Sequence, residues 1–387
     1  MLFRSAQGGL ASTGAVGGEG ERGQGGDEYG GSLDGKLKVF TDIVKGIKAV
    51  CGPDFPVTVR LAAKHYMKGL NRAPVPGEQF TEFGRDVAES IAVAKKLEEA
   101  GYDALLMACG TYDSIYWLYT PMYQKDGLWL EDVAKVKQHV NIPVICPGKI
   151  TRPEMANDAI KHGMIDAVAL GRALLADPQW ANKARLGQDE AIRPCIGCNN
   201  GCLGRDFAGL PVQCAVNADL FNERNAVLSK VDTPKKIAII GGGVAGMEAA
   251  RIAARRGHDV TLYEKGARLG GVVLAGSVPE FKDADRRLLA WYEQELADAG
   301  VKVKLGCEMT PAQIERLDAD EIVVATRGDT LLAVADLCSK ANLAKPIRVV
   351  EGGASRMLSV MTAAMEVSPD AAFIAVHDGA RPLVTPE

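Results

Sequence analysis

Nowhere do the 387 residues run apolar for the ~18–20 positions that a membrane-spanning helix requires. The start of the chain also lacks the compact apolar core of a secretory signal. There is no excess of basic charge: 45 Lys and Arg against 49 Asp and Glu leave a formal net charge of −4, which offers nucleic acid no attractive field. Self-similarity at a period of about 20–50 residues is absent as well, which argues against a solenoid or propeller. What is present, 47% apolar and 24% charged residues, is the make-up of a soluble globular protein with room for two or three domains. A cytoplasmic, reducing setting is expected, where clustered cysteines signal metal binding and scattered ones serve as small apolar filler.

Four of the nine cysteines are clustered, in PCIGCNNGCLGRDFAGLPVQC. Cys195, Cys198, Cys202 and Cys214 follow the pattern C-x2-C-x3-C-x11-C. Short spacers on a glycine-rich loop let the backbone wrap around one soft metal centre. Zinc sites usually pair two short knuckles. Here three cysteines crowd together and the fourth stands alone, which favours a [4Fe–4S] cubane while leaving zinc open.

The first 26 residues hold nine glycines and too little apolar surface to offset their ordering entropy, so disorder is expected there. A helical pattern begins near Gly35. Four apolar runs then alternate with amphipathic stretches: PVTVRLA before a helix at 85–100, DALLMAC before one at 130–139, IPVICPG before one at 153–162, and DAVALG before ALLADPQWANKA. That alternation signals βα units on a parallel sheet, either half of an eightfold barrel or a small open sheet.

A new sheet begins at Lys235. Gly241-x-Gly243-x-x-Gly246 follows the strand Ile237–Ile240 and opens a helix, and a second strand ends at Glu264. The first glycine serves a tight turn, the second a close approach to pyrophosphate, and the third close helix–strand packing. The helix N-terminus stabilises phosphate charge, and Glu264 would accept from an adenosine ribose. Arg268-Leu269-Gly270-Gly271 adds a second glycine turn that suits FAD better than NAD(P).

Together GGDEYGGSL, TVRLAAKHYMKG, GRDVAESIAVAKKLEEAGYDAL, GTYDSIYW, ALGRALLADPQWANKA and IRPCIGCNNGCLGR carry a resemblance. Over about residues 26–320 the chain resembles the 2-enoate reductase and 2,4-dienoyl-CoA reductase branch of the Old Yellow Enzyme (NADH:flavin oxidoreductase) family. The resemblance implies an FMN-binding TIM barrel, a [4Fe–4S] cluster, and an FAD/NAD(P)H module. The activity implied is reduction of an activated C=C bond in an enoate, enone or enoyl-CoA. It also implies that Arg60 contacts the flavin ring, and that Gly148, Lys149, Gly171 and Arg172 hold the FMN phosphate. Tyr112 stands where these reductases place a proton donor. His65 and Arg85 read as surface or loop contacts. Lys149 replaces the more usual arginine, trading a bidentate contact for a point charge.

Only the last four strands of the family barrel are represented, so an unclosed sheet and self-association are expected. Beyond DEIVVAT no second glycine fingerprint follows. IVVATRGDTLLAVADLC, IRVVEGGASRMLSV and FIAVHDGARPLVTPE resemble 2-C-methyl-D-erythritol 4-phosphate cytidylyltransferase. By that resemblance Gly353 and Ser359 face cytidine, Asp378 a divalent metal, and Arg381 the nucleotide. The expected fold is therefore α/β throughout. A disordered start (1–26) precedes the C-terminal half of a TIM (β/α)8 barrel (27–190) and an iron–sulfur connector (191–232). A partial Rossmann-like FAD-binding domain (233–320) and a nucleotidyltransferase-like fragment (321–387) follow, joined within 320–327 as in a chimera. Three functions compete: a truncated flavin/Fe–S reductase, an electron-transfer fragment without a working FMN pocket, and a CTP-dependent nucleotidyltransferase.

Overall fold

The computed structural model describes residues 28–221, 223, 228–309, 313 and 316, and the segments Ile322–Thr326, Leu331–Lys340, Ile347–Glu351 and Phe373–Val376. The glycine-rich start and Gly353, Ser359, Asp378 and Arg381 lie outside the described residues. The chain divides into two compact units, Met1–Ala173 and Leu174–Glu387.

In the first unit, α1 (Leu33–Cys51) starts where Ser32 accepts from the Gly35 amide. Four short parallel strands follow: β1 (Thr58–Ala62), β2 (Ala104–Ala108), β3 (Val144–Cys146) and β4 (Ala167–Val168), ordered in space as in sequence. Helices α2 (Val87–Ala100), α3 (Leu130–Lys137) and α4 (Pro153–Lys161) make the crossovers. α2 is set locally: Asp86 caps its first turn, and Gly101 ends it in the left-handed region (φ 104°). Its buried face is Ser90, Val93, Ala94 and Leu97, the 3.6-residue stripe of a helix lying on a sheet.

The strands show which way the sheet faces. Val59, Leu61, Leu105, Met107, Val144 and Cys146 are buried. The alternate positions Arg60, Leu106, Ile145 and Ala167 form one row across the register and are all more accessible. A closed barrel would turn that row inward. Among the described residues β1 and β4 each pair on one side only.

The second unit starts at Leu174, ahead of the 190 boundary the sequence suggests, for a packing reason. Ala176 is fully buried in the same apolar cluster as Val216, Ile237 and Trp291, and Leu175 O accepts from Asn217 Nδ2. Its sheet holds β5 (Lys236–Ile240), β6 (Asp259–Tyr263), β7 (Lys302–Lys304), β8 (Ile322–Thr326), β9 (Ile347–Glu351) and β10 (Phe373–Val376). All pairs are parallel, in the order β7-β6-β5-β10-β8-β9. The expected separate C-terminal segment thus shares one sheet with the glycine-turn strands. α5 (Val244–Arg255) and α6 (Asp283–Asp298) supply Met247, Ala250, Leu288, Trp291 and Leu296 to the core. α7 spans Leu331–Lys340. Among the described residues no helix is long and apolar enough to cross a membrane.

Candidate functional site

Two groups of residues in the second unit carry chemistry, and a third lies in the first. The glycine turn is built as its spacing predicts. Gly241 has φ 103°, which L-residues rarely adopt, and a Cβ on Gly246 would stand 1.9 Å from the Gly241 carbonyl oxygen. Gly243 is different: a Cβ there meets nothing within 4 Å, so the space beside it is open. Glu264, expected on a ribose, accepts at 2.6 Å from the Gly242 amide and at 2.6 Å from the Gly266 amide. One carboxylate thereby fixes the turn and the loop after β6. Gly270 donates to Gly242 O at 2.8 Å, while Arg268 is exposed. The open space at Gly243, at the N-terminus of the helix Val244–Arg255, fits a pyrophosphate.

The cysteine loop sits on the same core, with Cys195, Ile196 and Cys214 packed against it. Gly201 is pinned to Gln213: its oxygen accepts from the Gln213 amide at 2.7 Å, and a Cβ would meet the Gln213 oxygen at 2.6 Å. Burial pushes the Cys214 thiol up to about 11, with Cys195 and Cys198 adding to the rise and the amides of Val216 and Asn217 opposing it. Those amides point at the sulfur, and a soft metal would replace the proton there. Among the described residues no three His, Cys, Asp or Glu side chains converge as one metal ion requires. Four thiolates on one glycine-rich loop are nevertheless the donors that a soft metal centre takes, whether zinc or iron–sulfur. The donor set fits an Fe–S cluster.

Beside the loop lies a buried charge network that the sequence does not announce. Glu248 and Arg251, 4% and 1% exposed, form a bidentate pair at 2.9 and 2.8 Å. Burial alone would raise the Glu248 carboxyl, but the Arg251 guanidinium holds it below the usual range. Arg251 reaches Glu295 as well, at 3.4 Å. Its i,i+3 spacing from Glu248 was the available signal, one shared with many exposed pairs.

In the first unit, Arg60 stands exposed on β1, in the accessible row of the sheet. Lys149 (φ 55°) follows β3, but its ammonium is enclosed by the carbonyls of Pro121, Met122 and Gln124 and by Asp126. Arg172 donates to Thr120 O at 2.7 Å and to its Oγ1 at 2.8 Å. Both cations expected on a phosphate therefore hold the segment 120–126. Gly148 packs against Trp129, where a Cβ would meet the Trp129 Cβ at 2.9 Å; Gly171 faces open space. The chemistry of Arg60 and Gly171 fits an anionic flavin, while Lys149 and Arg172 are engaged by the segment 120–126.

Tyr112 opens a short turn after β2 and is 63% exposed. A series of rings includes Tyr116 and Trp117, a few residues further along the chain. Tyr66 stacks on Trp117 at 4.0 Å, Trp117 meets Tyr116 edge-on at 5.7 Å, and Tyr116 approaches Tyr123 at 5.9 Å. The Lys64 ammonium lies 4.6 Å from the Tyr66 ring centre. His65 and Arg85 are loop contacts of each other, not surface ones. Both are buried, with the Arg85 amide donating to His65 Nδ1 and its guanidinium to Ala62 O and Ser90 Oγ. Burial, then the Arg85 charge, lowers His65 to about 4.

Known protein families match three stretches of the chain. Residues 19–190 match the NADH:flavin oxidoreductase / NADH oxidase family, 213–339 the pyridine nucleotide-disulphide oxidoreductase family, and 310–387 the 2-C-methyl-D-erythritol 4-phosphate cytidylyltransferase family. The chain is 47% identical over 300 residues to a cinnamate reductase from Clostridium sporogenes, which covers 78% of this chain and 45% of that protein. It is 38% identical over 304 residues to an NADH oxidase from Thermoanaerobacter brockii, covering 78% and 44%. The chain thus spans about half the length of the curated relatives it matches. Its fold is similar to that of a 2-naphthoyl-CoA reductase in complex with 2-naphthoyl-CoA, with TM-score 0.68 and 23% identity, over 91% of this chain and 63% of that one.

Proposed function

Across residues 19–190 the chain belongs to the NADH:flavin oxidoreductase / NADH oxidase family, and from that premise we propose a flavin- and iron–sulfur-dependent reductase of activated C=C bonds, of the 2-enoate or dienoyl-CoA type. The observation that carries the reading is the cysteine loop and the glycine turn sharing one core in the second unit. When bound, the cofactors supply the electron chemistry: NAD(P)H as reductant, FAD and [4Fe–4S] as carriers, and FMN as the hydride donor to the substrate.

The chain's own residues bind and orient. Cys195, Cys198, Cys202 and Cys214 hold the cluster, and Gly241, Gly243 and Gly246 admit the FAD pyrophosphate, with Arg268 beside them. Arg60 stabilises negative charge on the flavin ring, and Gly171 leaves open space for the FMN phosphate, which Arg172 would reach by releasing Thr120. The rings from Tyr66 to Tyr123 give an apolar shelf, and the exposed Tyr112 hydroxyl is the group to protonate the substrate carbon opposite the hydride.

Anaerobic purification tests this directly. Iron, acid-labile sulfide, FMN and FAD are counted per chain, and NADH-driven reduction of a 2-enoate is followed. Absence of iron would sink the proposal. Cluster and FAD without FMN would favour a second reading, an electron-transfer fragment, which the enclosed Lys149 and the one-sided pairing of β1 and β4 support. Mg²⁺-dependent pyrophosphate release from CTP would favour the reading drawn from residues 310–387. We also propose that this C-terminal part is joined from another gene; sequencing across the source locus tests the joint.

A further inference from the structure

The loop that carries the four cysteines has two ends that meet. Arg193, just before the first cysteine, donates through Nη1 to Asn217 Oδ1 at 3.0 Å, just beyond the last. Asn217 is 4% exposed and fully engaged, donating to Leu175 O at 2.9 Å and accepting from the Asp219 amide at 3.2 Å. The Arg193 amide donates to Asp177 Oδ2 at 2.9 Å, and that buried carboxylate also holds Lys183 at 2.7 Å.

The same arginine reaches the helices. Its guanidinium lies 4.6 Å from the Trp291 ring centre, and the indole N–H donates to Ala191 O at 3.1 Å. Arg251 of α5 lies 5.5 Å from that indole. One side chain therefore joins the two ends of the cysteine loop to α6, and through Trp291 to the helix that the glycine turn opens. None of these contacts involves a sulfur, so the base of the loop is held by bonds separate from the thiolates.

We propose that Arg193 is a positioning residue for the metal centre: it closes the base of the cysteine loop on Asn217 and fastens it to Trp291, so the four thiolates are prearranged. The inference rests on the reading that these cysteines bind an Fe–S cluster. A planar guanidinium can hydrogen-bond at its edge and stack on its face at once, which a lysine cannot do. Partners behind metal ligands typically change metal affinity by about 10- to 100-fold when removed.

The test compares wild type, Arg193→Gln, Arg193→Lys and Trp291→Phe, purified anaerobically. Iron and sulfide per chain are measured, then the rate at which a ferrous chelator bleaches the cluster, with FAD content and unfolding midpoint recorded beside them. We expect Arg193→Gln to lose iron about 10- to 100-fold faster than wild type while keeping its FAD. Arg193→Lys, which retains the cation over the indole, falls between the two. Bleaching of the glutamine variant at the wild-type rate, or a lysine variant no better than glutamine, overturns the assignment. If the glutamine variant does not fold, the lysine and Trp291→Phe proteins decide: both at the wild-type rate overturns it, and both faster supports it. Wild type without iron is a different failure, that of the cluster reading itself, and is seen before any variant is made.

Discussion

Gly243 and Gly246 sit three residues apart in one turn, and alanine at each should do opposite things. At Gly246 the new methyl would lie 1.9 Å from the Gly241 oxygen and 3.1 Å from its carbon. Both are backbone atoms, which cannot swing aside as a side chain would, so α5 must lift from β5. Overpacking of this kind costs about 1–3 kcal/mol, and a backbone clash belongs at the top of that range or beyond it. At about 2–4 °C per kcal/mol for a unit of this size, an unfolding midpoint some 6–12 °C lower is expected. At Gly243 nothing lies within 4 Å and φ is −71°, an ordinary value for alanine. Gly243→Ala should keep or raise stability, by up to about 1 kcal/mol, because the unfolded chain loses freedom. Its methyl would nevertheless fill the space where pyrophosphate approaches, so bound FAD should fall at least tenfold. Thermal unfolding of the flavin-free proteins and flavin released per chain measure the two effects separately. Wild-type flavin content in Gly243→Ala would refute the assignment of the site, and a wild-type midpoint in Gly246→Ala would refute the packing argument.

Three further outcomes are expected. Tyr112→Phe should slow NADH-driven reduction of a 2-enoate by about 10²–10⁴-fold with cluster and flavin content unchanged; equal rates would remove Tyr112 as the proton donor. His65 titrates near 4 when folded and near 6.5 when unfolded, so the unfolded chain binds the extra proton between those values. Stability should be full above pH 6.5 and decline by up to roughly 3 kcal/mol as pH falls to 4, a slope that urea titrations would find flattened in His65→Gln. Lys149→Met strips the cation from three carbonyls and Asp126, and should cost about 2–4 kcal/mol and open the segment 120–126 to proteases; an unchanged cleavage pattern would argue against the enclosure.

What could be read from the chain was what is local in it. The runs PVTVRLA and DALLMAC became β1 and β2, and the helices expected at 85–100, 130–139 and 153–162 became Val87–Ala100, Leu130–Lys137 and Pro153–Lys161. The glycine fingerprint was legible because turn, helix and strand are contiguous. Pairings between distant residues were not. Nothing in the sequence ties Arg193 to Trp291, or Lys149 to the carbonyls of Pro121 and Gln124, since a cation can find its partner anywhere in the fold. His65 and Arg85 make loop contacts as expected, but in the interior: charge usually signals the surface, and here Ala62 O and Ser90 Oγ accept from the buried Arg85 guanidinium. Glu264 directly follows β6, as its strand pattern implies, yet its grip on Gly242 depends on the fold bringing the glycine turn to the loop that also holds Gly266.

The position of β10 sets a schedule for biosynthesis. Among the described residues it is the last strand along the chain, yet it lies between β5 and β8 in the sheet. A ribosome must therefore deliver the chain through Val376 before the strand that leads into the glycine turn gains its second neighbour. Until then β5 presents one row of unpaired amides and carbonyls, a template for any passing strand. A nascent chain stalled short of Phe373 would be a natural client for a chaperone, and release of that chaperone would mark the moment at which the sheet closes.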